Sequence, residues 1–184
     1  MEILEFAYFA LPYIILVYLA VLLFMRPPRA VLLASLLAGL LMGLINALVD
    51  LAAYYAHWWH YTLNDLILHV PLPFYITPVL VYGSIAYLLI WRFWSGRGHW
   101  FALLLLIGIP IFGIARDVLG ATTNTSYTTW DSPLAGPIDA LMWIVMFYAG
   151  FWLFRRLAPP RQVESITIRK QEEGTRGIFR SRHN

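Results

Sequence analysis

The sequence predicts an all-α fold, a polytopic integral membrane helix bundle of about five transmembrane spans with its N-terminus outside and its C-terminus cytoplasmic. Three observations predict it. Hydrophobic residues make up 60% of the 184 positions and charged residues only 12%, whereas a soluble domain carries about 25% charged residues. Five stretches are apolar over close to the roughly 20 residues that a helix needs to cross the hydrocarbon with its backbone groups paired internally. Lys and Arg in the short loops fall at alternate ends of those stretches, and translocating them is disfavoured.

The first stretch runs from Leu4 to Met25. Acids precede it and no small-residue cleavage pattern follows, so it reads as a retained span and not as a secretory signal, which would be basic first and shorter. Arg26-Pro27-Pro28-Arg29 separates it from the second span, Ala30 to about Ala56. The third is Phe74 to Trp94, the fourth Trp100 to Gly120 and the fifth Pro137 to Phe154. Pro12, Pro78 and Pro110 fall inside spans and predict kinks, because neighbouring helices can satisfy the carbonyls they free.

Arg26 and Arg29, Arg92 and Arg97, and Arg155 and Arg156 all map to one side, which is then cytoplasmic. The other side receives Glu2, Glu5 and the loops 57–73 and 121–136, neither of which contains Lys or Arg. Residues 1–157 form the bundle. Residues 158–184 begin at Ala158-Pro159-Pro160 and continue as a charged tail with few large apolar residues, too few to offset its ordering entropy. Its basic residues either rest on anionic lipid or stay solvated.

Several chemistries are excluded. There is no cysteine, hence no disulfide, thiolate metal site or cysteine nucleophile. The net charge of +3 belongs to membrane flanks and the tail, so no nucleic-acid partner is expected. The partners expected are the bilayer itself, a lipid or polyisoprenoid substrate or, on the alternative reading, a membrane-complex partner. His57-Trp58-Trp59-His60 has the spacing at which two imidazoles share a helical face. Yet His57, His60 and His69 lie close together near one interface, where His and Trp are the ordinary occupants. No metal or other cofactor is expected.

Charged side chains at membrane depth cost at least ~2.5 kcal/mol each on insertion, so they mark where function should be sought. Asp50 lies near the outer end of span two, Arg116 and Asp117 near the outer end of span four, and Asp139 in the first turn of span five. Asn46, Asp50, Tyr54 and His57 are spaced to fall on one helical face as a polar stripe, with His60, Asp65 and His69 in the loop above. Blander readings stand beside these. Asp139 follows Gly136-Pro137, where a carboxylate suits a helix start. Asp131 precedes Ser132-Pro133 and suits a turn. Arg116 suits an ion pair with Asp50 or Asp139 that only fixes packing. Asp50, with apolar neighbours and a short side chain, is the hardest to dismiss. Gly39-x-x-x-Gly43 permits close helix approach, and Asn124-Thr125-Ser126 matches a glycosylation pattern that is short enough to occur by coincidence.

From His60 through the fifth span the order of features resembles the membrane carotenoid hydratases of the bisanhydrobacterioruberin type and, more distantly, the membrane-type lycopene cyclases. The residues are Trp59-His60-Tyr61-Thr62, then Val70-Pro71-Leu72-Pro73 before an apolar span, Arg116-Asp117, Trp130-Asp131 and Pro133-Leu134. The chain departs from those families in length and in having Pro71-Leu72-Pro73-Phe74 where the cyclases carry Pro-x-Glu-Glu. The resemblance implies an activity that starts by protonating a carbon–carbon double bond of a polyisoprenoid. That chemistry needs a carboxylic acid in an apolar setting and aromatic faces for the cation. Asp50, Asp117 and Asp139, with Arg116, are the catalytic candidates. Asn46, Tyr54, His57, His60, Tyr61, Asp65, Trp130, Asp131 and Trp143 are the binding candidates, with Trp58 and Trp59 as further wall residues. The rival reading is a non-catalytic subunit or assembly factor.

Overall fold

The computed structural model describes residues 5–64, 66–95, 97–123 and 127–159. Asp65, the Asn124-Thr125-Ser126 site and the tail beyond 159 therefore lie outside the described residues. Among the described residues, five helices are long and apolar enough to cross a membrane: α1 (Tyr8–Met25), α2 (Arg29–Tyr55), α3 (Leu72–Phe93), α4 (His99–Thr123) and α5 (Ala135–Leu157). They sit where the apolar stretches of the sequence place them, and the ends of α1 and α2 have visible causes. Arg26 takes a left-handed backbone (φ 43°) ahead of Pro27-Pro28, which closes α1 and opens α2. His57 (φ 54°) breaks the chain away from the end of α2.

Bundle packing centres on α2, α3 and α5. The glycines of Gly39-x-x-x-Gly43 face α3, and a Cβ on Gly83 would stand 2.6 Å from the Gly39 Cα. Only hydrogen at both positions lets the two backbones approach this closely. At Gly39 a Cβ would strike the Val79 carbonyl, and at Gly43 the Val79 side chain. The facing segment of α3, Pro78–Ile85, is wound as a π-helix, which begins at the proline whose missing N–H relaxes the ladder. On the other flank, Tyr87 is fully buried, donates to the Phe147 carbonyl (2.8 Å) and stacks on Phe154. A polar thread crosses this apolar core: Tyr18 Oη meets Ser84 Oγ at 3.1 Å, which meets Ser35 Oγ at 2.8 Å, which donates to the Leu32 carbonyl. Each buried hydroxyl is thereby satisfied.

The fold is not wholly α-helical. The loops that follow α2 and α4 pair as two short antiparallel strands, β1 (Trp59–Tyr61) and β2 (Thr128–Trp130), with Trp59 opposite Trp130, His60 opposite Thr129 and Tyr61 opposite Thr128. The Thr62 N–H extends the ladder to the Tyr127 carbonyl, and the Asp131 N–H extends it to the Trp58 carbonyl. Two loops far apart in sequence thus close over one end of the bundle.

Candidate functional site

Strand alternation decides what this pairing delivers. Side chains at i and i+2 share a face, so Trp59 and Tyr61 of β1 and Thr128 and Trp130 of β2 line a cavity of about 500 Å³ beneath the strands. The intervening His60 turns the other way. Below the strands the cavity is walled by Asn46 and Asp50 of α2, by Tyr75, Thr77 and Pro78 of α3, by Arg116 and Asp117 of α4, and by Asp139, Met142 and Trp143 of α5. Glu5, Phe6 and Ala10 close the side next to α1, where Phe6 packs on Phe74 with ring centroids 4.4 Å apart.

Besides the exposed Glu5, three carboxyl groups reach this space, and each is treated differently. Asp50 is 3% exposed and accepts four hydrogen bonds. Trp59 Nε1 donates to Oδ1 at 3.0 Å, while Tyr75 Oη (2.7 Å), Tyr61 Oη (2.9 Å) and Asn46 Nδ2 (3.1 Å) donate to Oδ2. That set matches in number the roughly four acceptor sites of a carboxylate, with three of the donors crowded on Oδ2. Burial, and then the negative charge of Asp50, push the Tyr61 hydroxyl well above its ordinary value of 10, so Tyr61 stays a donor.

Asp117 is held by its neighbour. Arg116 donates from Nε (2.8 Å) and Nη2 (2.6 Å) to Oδ1, and Trp143 Nε1 donates to Oδ2 at 2.7 Å. The guanidinium also lies over the rings of Tyr82 and Trp143, 5.7 and 5.5 Å from their centroids. Trp143 can lie here because Gly113, one turn before Asp117, has no side chain; a Cβ there would enter the indole ring.

Asp139 differs from both. It is 6% exposed, it lines the cavity, and its Oδ2 is buried with no hydrogen-bond partner. A polar atom left this way costs about 1–3 kcal/mol or more, which makes it the atom in the site that most needs a ligand or a proton to explain it.

The sequence-based expectations meet this geometry unevenly. Asn46, Asp50, Tyr61, Arg116, Asp117, Trp130, Asp139 and Trp143 all line the cavity. The stripe on α2 is shorter than expected and ends at Asp50, with Tyr54 turning aside to stack on His69, ring centroids 3.9 Å apart. His57 is exposed beyond the helix end, because the positive φ that breaks the chain also swings this side chain off the helical face. His60 and Asp131 bind each other at the rim (2.8 Å) outside the cavity lining, so Asp131 is a strand latch and not only a turn starter. Arg116 pairs with Asp117, not with Asp50 or Asp139. Asp139 is not in the first turn of its helix, since α5 starts at Ala135 after Ser132 has taken up the Leu134 N–H and, through its carbonyl, the Ala135 N–H. Among the described residues no group of three or more His, Cys, Asp or Glu side chains is placed to hold a metal ion.

Sequence reasoning missed Tyr75, the closest donor to Asp50, together with Met142 and Phe6. Tyr75 stands among apolar residues at a span start, where tyrosine is ordinary. Nothing in its local sequence separates it from an interfacial anchor.

No family model, no curated protein and no solved structure matches the chain.

Proposed function

We propose that the protein is a multi-pass cell-membrane enzyme that acts by acid catalysis on a lipid or polyisoprenoid of the carotenoid type, with Asp139 as the acid. The unpartnered Asp139 oxygen in a cavity walled by aromatic rings carries this reading. In this reading α1 starts outside and the arginine-rich helix ends face the cytoplasm, following the distribution of Lys and Arg. The cavity then lies at the outer interface, where a lipid arrives sideways from the bilayer.

The charge balance of the lining narrows the chemistry. Glu5, Asp50, Asp117 and Asp139 stand against Arg116 as the one cation among the lining residues, and Arg116 is already engaged by Asp117. A phosphate-bearing headgroup would meet net negative charge, whereas a reaction that develops positive charge would be stabilised. Protonation of a double bond is such a reaction. The Asp139 proton adds to one alkene carbon and leaves a cation on the other. That cation takes the oxygen of a water molecule, which then loses a proton back to the carboxylate; in a cyclisation, the electrons of a second double bond close the ring instead, and the new cation loses a proton from an adjacent carbon to the carboxylate. The faces of Trp59, Trp130, Trp143 and Tyr75 are suited to the cationic stage. Asp50, which accepts from four donors, acts as a positioning residue that fixes four of the cavity's side chains, Asn46, Trp59, Tyr61 and Tyr75. The resemblance to the membrane carotenoid hydratases supports the same reading through Trp59-His60-Tyr61-Thr62, Arg116-Asp117 and Trp130-Asp131.

The alternative, a non-catalytic subunit of a membrane complex, draws on the Arg116–Asp117–Trp143 cluster as a packing device. It leaves the bare oxygen of Asp139 without a role. The two separate on Asp139→Asn in cells that carry the gene. Loss of a general acid lowers turnover by about 10²–10⁴-fold, so the isoprenoid profile should match that of a deletion strain while the amount of inserted protein is unchanged. An unaltered profile would remove the acid role.

A further inference from the structure

We propose that the same cavity is a binding site for amphiphiles with an alkylammonium head, primary or quaternary, seated against Asp139. The inference rests on the reading that Asp139 faces the ligand, and it needs no turnover. Both oxygens of Asp50 and of Asp117 already accept from protein donors and Glu5 is exposed, so the buried carboxyl with an unpartnered oxygen is Asp139, 6% exposed and with Oδ2 bare. An uncompensated carboxylate in a low-dielectric cavity is costly, so without a cation the cavity favours the protonated acid; an ammonium seated beside it removes that cost, and the Asp139 proton leaves to solvent as the cation binds.

The walls supply the second element of ammonium recognition. Trp59, Trp130, Trp143 and Tyr75 present rings to the space, and a cation over such a face gains about 0.5–2 kcal/mol. The protein already makes this contact with its own guanidinium, since Arg116 lies over Trp143. The cavity of about 500 Å³ exceeds what a head group alone would fill, and Phe6, Ala10 and Pro78 give the first carbons of an alkyl chain an apolar path past α1. An anion of the same shape would meet Glu5 at the mouth and Asp139 at the base.

The test uses the full-length protein in maltoside detergent, which carries neither charge nor amine, and follows tryptophan fluorescence, since three of the eight tryptophans line the cavity. The probes are hexyltrimethylammonium, hexanol and hexyl sulfate. The ammonium should bind saturably and about tenfold or more tightly than hexanol, equivalent to about 1.4 kcal/mol, and hexyl sulfate should not saturate. Asp139→Asn should abolish the preference for ammonium over hexanol. Trp130→Leu, which keeps apolar bulk, should weaken it, and this second variant decides the matter if the first does not fold. Tyr55→Phe, exposed and outside the lining, should leave it intact. Equal affinity for hexanol and ammonium, or an ammonium preference that survives Asp139→Asn and Trp130→Leu, would overturn the proposal. Competition by phosphatidylethanolamine but not phosphatidylglycerol would identify a lipid headgroup as the source of the ammonium; no competition by either would identify a free amine. Should ammonium binding fail while Asp139→Asn still abolishes isoprenoid turnover, this inference falls and the catalytic reading stands. Binding in a protein that leaves isoprenoids untouched would give the reverse.

Discussion

The middle of the bundle and its acidic end solve the same problem in opposite ways. In the middle, the polar atoms form a closed thread from Tyr18 through Ser84 and Ser35 to the Leu32 carbonyl, and the helix backbones meet at Gly39 and Gly83. At the acidic end helices and strands line a cavity, and among the described residues one buried side-chain oxygen is left without a partner. Interiors normally satisfy their polar groups. The middle is therefore built for packing, and the acidic end departs from packing at one atom, Asp139 Oδ2.

Breaking the middle should have the largest effect. Gly83→Leu forces a branched side chain into a space where a single Cβ already stands 2.6 Å from a backbone atom. Because backbone cannot yield as a flexible side chain does, the variant should not give a monodisperse species on size exclusion in mild detergent, whereas wild type should. Next comes the scaffold of the acidic end. Asp50→Ala strands four donors, three of them on Trp59, Tyr61 and Tyr75. The loss should be on the order of 3–5 kcal/mol of stability, read as a lower melting temperature. Asp139→Asn should melt at or above wild type, since Asp139 Oδ2 has no bond to lose. Equal losses for the two would erase the distinction drawn between them.

A pH series sharpens the comparison further. The Tyr61 hydroxyl is pushed well above 10 by burial and then by Asp50. The unfolded chain releases this proton first as pH rises, so the stability linked to Tyr61 is fully present below pH 10 and is lost as pH climbs from there toward the folded value. Tyr61→Phe should flatten the alkaline limb of the melting curve. An unchanged limb would separate Tyr61 from Asp50. The smallest effect belongs to the rim. The His60–Asp131 pair is partly exposed, with 42% and 31% of the two side chains accessible, so His60→Gln should cost no more than about 1 kcal/mol and leave ligand binding at the cavity in place.

The five helices were legible because span length and apolar run length are properties of contiguous sequence. The cavity was legible only where a costly residue announces itself: Asp50, Arg116, Asp117 and Asp139 stand out against apolar neighbours. The partner of each was not. Arg116 pairs with the adjacent Asp117, a neighbour that the i, i+3 and i, i+4 spacings of a helix face do not offer. His57 left the stripe because one residue took a positive φ, and His60 left the cavity because the loop became a strand whose alternate side chains face opposite ways. Tyr75 was invisible for a different reason, since its type and place match an interfacial anchor.

Asp139 Oδ2, unlike either oxygen of Asp50, has no protein partner, and the proposed function requires it to be reachable from the lipid side. A hydrophobic carbodiimide, added to the membrane-embedded protein and followed by peptide mass spectrometry, reads this directly, because it modifies carboxyl groups that it can reach within apolar surroundings. Modification at Asp139 with Asp50 spared is the expected result. Modification at Asp50 with Asp139 untouched would contradict it.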